Sequence, residues 1–168
     1  MKFTVNHVFS CDVPTYWEKI FFEPEYNRRL YLEALGFKKF EVLELRGNPG
    51  EDRFRKLRMA PKSDAPAVVQ KLIGADIEYT EEGRWDAKSG IWTFAISTSK
   101  LTDSIKISGR FWVEKRGEKA TERFCETDLK VSIFGVGGAV EKFIESTTRE
   151  SYEKTFAFTQ KWIADHGL

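Results

Sequence analysis

Close to residue 138 the chain changes its hydrophobic period, and that change limits what it can fold into more than any other feature. From Gly138 to about His166, Val140, Phe143, Ile144, Thr147, Ser151, Tyr152, Thr155, Phe158, Thr159 and Trp162 fall on one helical stripe, opposite Lys142, Glu145, Arg149, Glu153 and Lys161. The pattern predicts one amphipathic helix of about 28 residues, ~42 Å long at 1.5 Å per residue, stopping at Gly167. Before it, apolar residues recur at every second position in short runs, the period of half-buried strands. Much of the chain must therefore form a sheet that this single helix has to cover.

The strands are read as follows. Lys2 to Ser10 places Phe3, Val5, His7 and Phe9 on one side. Asp12 caps a short helix over Val13 to Phe22, and Pro24 breaks the chain before a second one that runs to Leu35 and Gly36. Phe37 to Arg46 and Asp52 to Met59 form a hairpin around Gly47-Asn48-Pro49-Gly50. Pro61 to Gly74, with Pro66, Val68, Val69, Leu72 and Ile73, reads as a connecting turn or two. Ile77 to Arg84, Gly90 to Ser97, Ile105 to Lys115 and Ala120 to Phe134 complete an antiparallel meander. In it Ile105, Ile107, Gly109, Phe111 and Val113 share a face, as do Cys125, Leu129, Val131 and Ile133.

Seven strands at ~4.8 Å spacing make a sheet about 34 Å wide, whereas a helix with its side chains is about 10–12 Å across. The helix cannot blanket a flat sheet, so the sheet is expected to curl around it, with strand glycines such as Gly109 at the bends. The predicted class is α+β: a curved seven-stranded antiparallel sheet wrapped around a long C-terminal helix, with two short helices after strand one, as one domain over residues 1–168. A curled sheet and one helix need not meet everywhere, which favours an interior cavity. The competing reading is a solid core, since aromatic residues are 14% of the chain.

Composition narrows function by exclusion. Lys plus Arg number 27 against 26 Asp plus Glu, for a net charge of +1, which argues against nucleic-acid binding. Cys11 and Cys125 are too few and too far apart for a disulfide scaffold, and with the two histidines they offer no zinc spacing. No apolar run approaches a membrane span. The expectation is a soluble, cytoplasmic protein without metal or cofactor and without stable membrane insertion, its oligomeric state open.

The resemblance lies in spacing spread along the chain: His7-Val8-Phe9; Glu23-Pro24-Glu25-Tyr26; Arg58-Met59-Ala60-Pro61; Pro66 through Gly74; Glu81 to Trp85; and Lys130-Val131-Ser132-Ile133-Phe134-Gly135-Val136-Gly137-Gly138 leading into the long helix. Nearly the whole chain resembles the DUF2505 family of the START/Bet v 1-like (SRPBCC, helix-grip) superfamily, without a catalytic signature. The superfamily resemblance implies binding of lipids, sterols, polyketides or other hydrophobic molecules between sheet and helix. It does not choose between carriers and enzymes such as polyketide cyclases.

The residues expected to line the cavity are His7, Tyr79, Trp92, Phe94, Phe111, Val113, Val131, Val140, Phe143, Ile144, Thr147, Ser151 and Tyr152, with no catalytic residue assigned. His7 reads first as a core histidine satisfied by a neighbouring backbone or hydroxyl group, and otherwise as a donor to a ligand or a base. Cys125 reads as apolar filler rather than a thiolate paired with His7. Arg58, Glu81 and Arg123 are expected to point to solvent, because a charge inside is costly unless paired or used on a ligand. Phe21-Phe22 reads as the inner face of a helix rather than a membrane-touching lip, and Gly135 to Gly138 as a sharp turn rather than a phosphate loop. The leading function is binding or carriage of a lipid-like hydrophobic small molecule. The alternative is a cofactor-independent cyclase- or hydrolase-like enzyme on an aromatic or polyketide-like substrate, with His7 or Glu81 as acid or base. A His–carboxylate pair inside the cavity would favour the enzyme.

Overall fold

A computed structural model describes residues 1–62, 65–73 and 77–168. Strand β1 (Lys2–Phe9) is followed by α1 (Val13–Tyr16) and α2 (Pro24–Arg29), then β2 (Lys39–Arg46), β3 (Arg53–Ala60), α3 (Ala67–Ile73), β4 (Tyr79–Asp86), β5 (Ile91–Thr98), β6 (Ile105–Gly117), β7 (Ala120–Val131) and α4 (Gly137–His166). The seven strands form one antiparallel sheet in the order β1-β7-β6-β5-β4-β3-β2, in which every pair but β1-β7 joins chain neighbours. This is the expected α+β architecture. The long helix starts one residue before the expected Gly138.

Local chemistry explains the entry helices. The Asp12 carboxylate accepts from the Thr15 amide at 2.8 Å and caps α1. Glu23 holds the corresponding position before α2, where Pro24 occupies the first turn and so loses no helical hydrogen bond. Each short helix then loosens into a π turn, Trp17–Phe21 and Leu30–Ala34, which the hydrophobic pattern did not indicate. Connecting helix α3 is seven residues long; Gly74 and the side chains of Val68 and Ile73, named in the sequence reading, lie outside the described residues.

Every strand has at least one limit displaced from expectation, by one to three residues. Strand β4 runs two residues further along, and β7 ends at Val131 instead of Phe134. There the Glu141 side chain of α4 accepts from the Val131 amide at 2.9 Å, and the Ser132 amide turns to the Ser104 carbonyl. Residues 132–136 thus leave the sheet to redirect the chain into α4, and Phe134 is left fully exposed.

The register sets inward-facing side chains in rows across the sheet. One row holds Leu57, Glu81, Ile96, Ile107 and Leu129; the next holds Arg55, Gly83, Phe94, Gly109 and Thr127; the next holds Arg53, Trp85, Trp92, Phe111, Cys125 and Val5. In the middle row a methyl group on Gly83 would lie 1.8 Å from the Trp92 ring, and one on Gly109 would lie 2.2 Å from the Glu126 carbonyl and 2.5 Å from the Phe94 ring. The two glycines therefore let large rings lie flat on the concave face.

The core is divided. One buried cluster gathers Phe9, Tyr16, Trp17, Ile20, Tyr26, Leu30, Trp92, Phe111 and Trp162 around the two short helices. A second gathers Phe3, Ala65, Val69, Ile77, Ile105, Leu129 and Val140. The buried side chains of α4 follow the same division: Val140 lies near its start, and Thr159, Trp162 and Ile163 lie near its end. The helix is pinned at both ends, and its middle spans the space between the clusters.

Candidate ligand cavity

That space is a cavity of about 700 Å³, within the range of roughly 300–1,000 Å³ usual for small-molecule sites. The aromatic residues do not fill the interior, so the solid-core reading is overturned. They pack into the two clusters, where they contact one another: the Phe21 ring sits 5.1 Å from Trp92 and 5.1 Å from Phe111.

Ten of the residues expected around a cavity border this one. The sheet contributes Tyr79, Trp92, Phe94 and Phe111, and α4 contributes Val140, Phe143, Ile144, Thr147, Ser151 and Tyr152. His7, Val113 and Val131 do not border it. Val113 packs against the first cluster and Val131 against the second. His7 faces inward but is covered by Phe156, stacked at 4.9 Å. Its polar partners are not the backbone or hydroxyl groups expected. Nδ1 accepts from Arg123 Nη2 at 2.8 Å, and Nε2 lies 2.9 Å from the exposed Glu153 carboxylate. Because a guanidinium has no acceptor, this geometry requires Nδ1 unprotonated, which leaves the N–H on Nε2 to donate to Glu153. The His–carboxylate pair therefore exists, but outside the cavity.

The largest correction concerns charge. Arg58 points outward as expected, half-buried and pairing with Glu41 at 3.6 Å, but Glu81 and Arg123 point inward and border the cavity. Arg55, absent from the sequence reading, joins them. In β3 both phases carry basic residues, so alternation alone could not tell whether Arg53 and Arg55 or Lys56 and Arg58 face in. Pairing with β4 settles the phase. For Arg123 the signal is present: it shares parity with Cys125, which alternation places on the apolar face of β7.

Each buried charge has a different solution. Arg55 donates to the Phe21 carbonyl at 3.0 Å, reaches to 3.8 Å from Glu81, and lies against the Phe21 and Trp92 rings. Desolvation raises the Glu81 pKa above the usual carboxyl value, against the opposing pull of Arg55. Arg123, 1% exposed, lies between the Phe9 and Tyr152 rings, 5.0 and 4.8 Å from their centroids. Burial also raises the Cys125 thiol, which accepts from the Tyr152 hydroxyl at 2.9 Å and makes no bond to His7 among the described residues. This is a neutral, structural cysteine. The Thr147 hydroxyl donates to the Phe143 carbonyl of its own helix at 3.0 Å, so Thr147 and Tyr152 have both committed their protons to protein partners.

Comparison with known proteins agrees with this architecture. The profile of a family described as "Protein of unknown function (DUF2505)" matches residues 4–163. No curated protein matches the chain. Among solved structures, TTHA0849 from Thermus thermophilus superposes with a TM-score of 0.69 at 13% identity, covering 100% of both chains. The Zhui aromatase/cyclase of a Streptomyces species gives 0.68 at 10% identity, covering 100% of this chain and 96% of its own. A START superfamily protein from Mycobacterium smegmatis gives 0.62 at 13% identity, covering 96% of this chain and 98% of its own. At such identities these likenesses establish the helix-grip fold and nothing finer. With the family profile spanning nearly all of the sequence, and a curved sheet gripping one long helix around a hollow, the chain belongs to the DUF2505 family and has the helix-grip fold.

Proposed function

We propose that the chain is a single START-like domain over residues 1–168 that binds or carries a lipid-like hydrophobic small molecule, held between the concave sheet and the middle of α4. The supporting observation is the cavity itself: about 700 Å³, with Trp92, Phe94, Phe111, Phe143 and Ile144 giving apolar wall and polar groups such as Arg55, Glu81 and Arg123 set among them. Burying an apolar ligand there contributes about 25 cal/mol per Å² of apolar surface withdrawn from water, before the cost of association. Among the described residues no helix is long and apolar enough to cross a membrane. The test is organic extraction of the purified protein and identification of co-purifying molecules by mass. The expected result is an apolar compound in stoichiometric amount, retained through gel filtration. Absence of any such compound, together with failure to bind added alkyl or aromatic ligands, would overturn the reading.

A second reading has one observation in its favour. Glu81 borders the cavity with its pKa raised by desolvation, the condition that suits a carboxyl group to general acid–base work on a bound aromatic or polyketide-like substrate. A solved aromatase/cyclase shares the fold. Against it, the histidine–carboxylate pair lies outside the cavity, and Glu81 is engaged with Arg55. Turnover of a candidate polyketide that is abolished by Glu81→Gln would promote this reading over the carrier.

A further inference from the structure

The cavity wall contains a cation that no anion in the described protein neutralises. We propose that this cation makes the site selective for acids: the ligand is an apolar molecule bearing a carboxylate, seated with the carboxylate on Arg123. The proposal rests on the reading that the cavity takes an apolar ligand, and it adds the ligand's chemical class.

Arg123 borders the cavity, is 1% exposed, and makes no ion pair among the described residues. Its surroundings are neutral: His7 Nδ1, the Tyr16 hydroxyl, and the rings of Phe9, Phe111 and Tyr152. Burial keeps the Tyr16 and Tyr152 phenols in their un-ionised form, so neither supplies the missing charge. Among the described residues the Arg123 Nε also lacks a hydrogen-bond partner, as does the Arg55 Nε. A guanidinium stays protonated in proteins, so it cannot relieve this by losing a proton. Buried charges are ordinarily paired, and one left unpaired in a cavity wall awaits its partner from the cavity.

The positioning is also directional. His7 holds Nη2 from a place that does not border the cavity, and Glu153 in turn fixes the His7 ring. The guanidinium hydrogens that His7 does not take, the unpartnered Nε–H among them, are the donors left for a carboxylate to accept. Arg55 differs because Glu81 stands 3.8 Å away, whereas no carboxylate pairs with Arg123 among the described residues. The Phe21 and Phe111 rings, 5.1 Å apart, join the two arginine sites and supply the apolar surface on which the ligand body rests. A single excess positive charge matches a monoacid better than a phosphate dianion. Alkyl and aromatic acids share this head and differ only in the body.

The test is calorimetric titration of the delipidated full chain with two matched pairs, decanoate against methyl decanoate and naphthoate against methyl naphthoate. In at least one pair the acid is expected to bind at least about tenfold more tightly than its ester, the scale of one hydrogen bond to a charged group; the pair that responds identifies the body as alkyl or aromatic. The ratio should collapse towards one in Arg123→Gln and be partly retained in Arg123→Lys. Equal affinity of acid and ester in the wild type overturns the acid class while leaving the cavity reading intact. Failure of all four compounds to bind overturns both. An acid preference undiminished in Arg123→Gln overturns Arg123 as the anchor. If Arg123→Gln does not fold, the wild-type ratio and the Arg123→Lys variant decide.

Discussion

A missing methyl group governs the concave face at Gly83. The Trp92 indole occupies the space that a Cβ there would need, at 1.8 Å from its nearest atom, and Trp92 is among the largest fully buried side chains. Gly83→Ala is therefore expected to displace Trp92 and to lower stability by about 1–3 kcal/mol, the usual cost of overpacking, measured by urea denaturation. An unchanged midpoint would show that the ring has another place to go. Glu81 makes a pH-dependent prediction. Its folded-state pKa is raised, so the folded protein holds this proton more tightly than the unfolded chain. The corresponding stability is present below the unfolded value near 4.5 and is lost as pH rises through the folded value. Glu81→Gln should therefore gain on the wild type as pH increases across that window, with little change below it; an advantage that shrinks with rising pH would contradict the assignment. Inward charge was only half legible. Parity with Cys125 pointed Arg123 inward, yet the cost of burying a charge argued the other way. Arg55 was hidden by the basic residues on both phases of β3.

Helix α4 shows why an element can be plain in the sequence while its role is not. Its extent is readable because one helical period persists over nearly all of its thirty residues. Its stripe does not distinguish residues that touch the sheet from residues that overhang the hollow. Val140 and Trp162 are buried, whereas Thr147 between them is exposed at the cavity's open side. Ser151 borders the same space with a small side chain and belongs to neither buried cluster, so Ser151→Trp is expected to fill the hollow from the helix without removing a core side chain. Ligand affinity should drop by at least about tenfold in calorimetry while the thermal midpoint stays within a few degrees of wild type. Retained affinity would place the ligand elsewhere. The short helices were legible from Asp12, Pro24 and Gly36, but their π turns were not, because no hydrophobic pattern distinguishes one extra residue per turn from ordinary fraying.

At the scale of the whole molecule, sheet width set against helix width predicted a hollow, and the divided core supplies the mechanism. Aromatic rings gather at the short helices and aliphatic side chains at the other end, and α4 bridges the interval. What composition could not show is that these rings pack against one another instead of spreading through the interior. The central claim is that an apolar molecule enters this interval, and methyl-resolved NMR during titration with methyl decanoate tests it most directly. The account predicts shifts for the methyl groups of Ile96, Ile107, Val140 and Ile144, which border the cavity, with little change at Val113, packed in the core away from it, or at Val8 and Val42 on the surface. Shifts confined to Val8, Val42 or other surface methyls, with the cavity methyls unmoved at saturation, would contradict it.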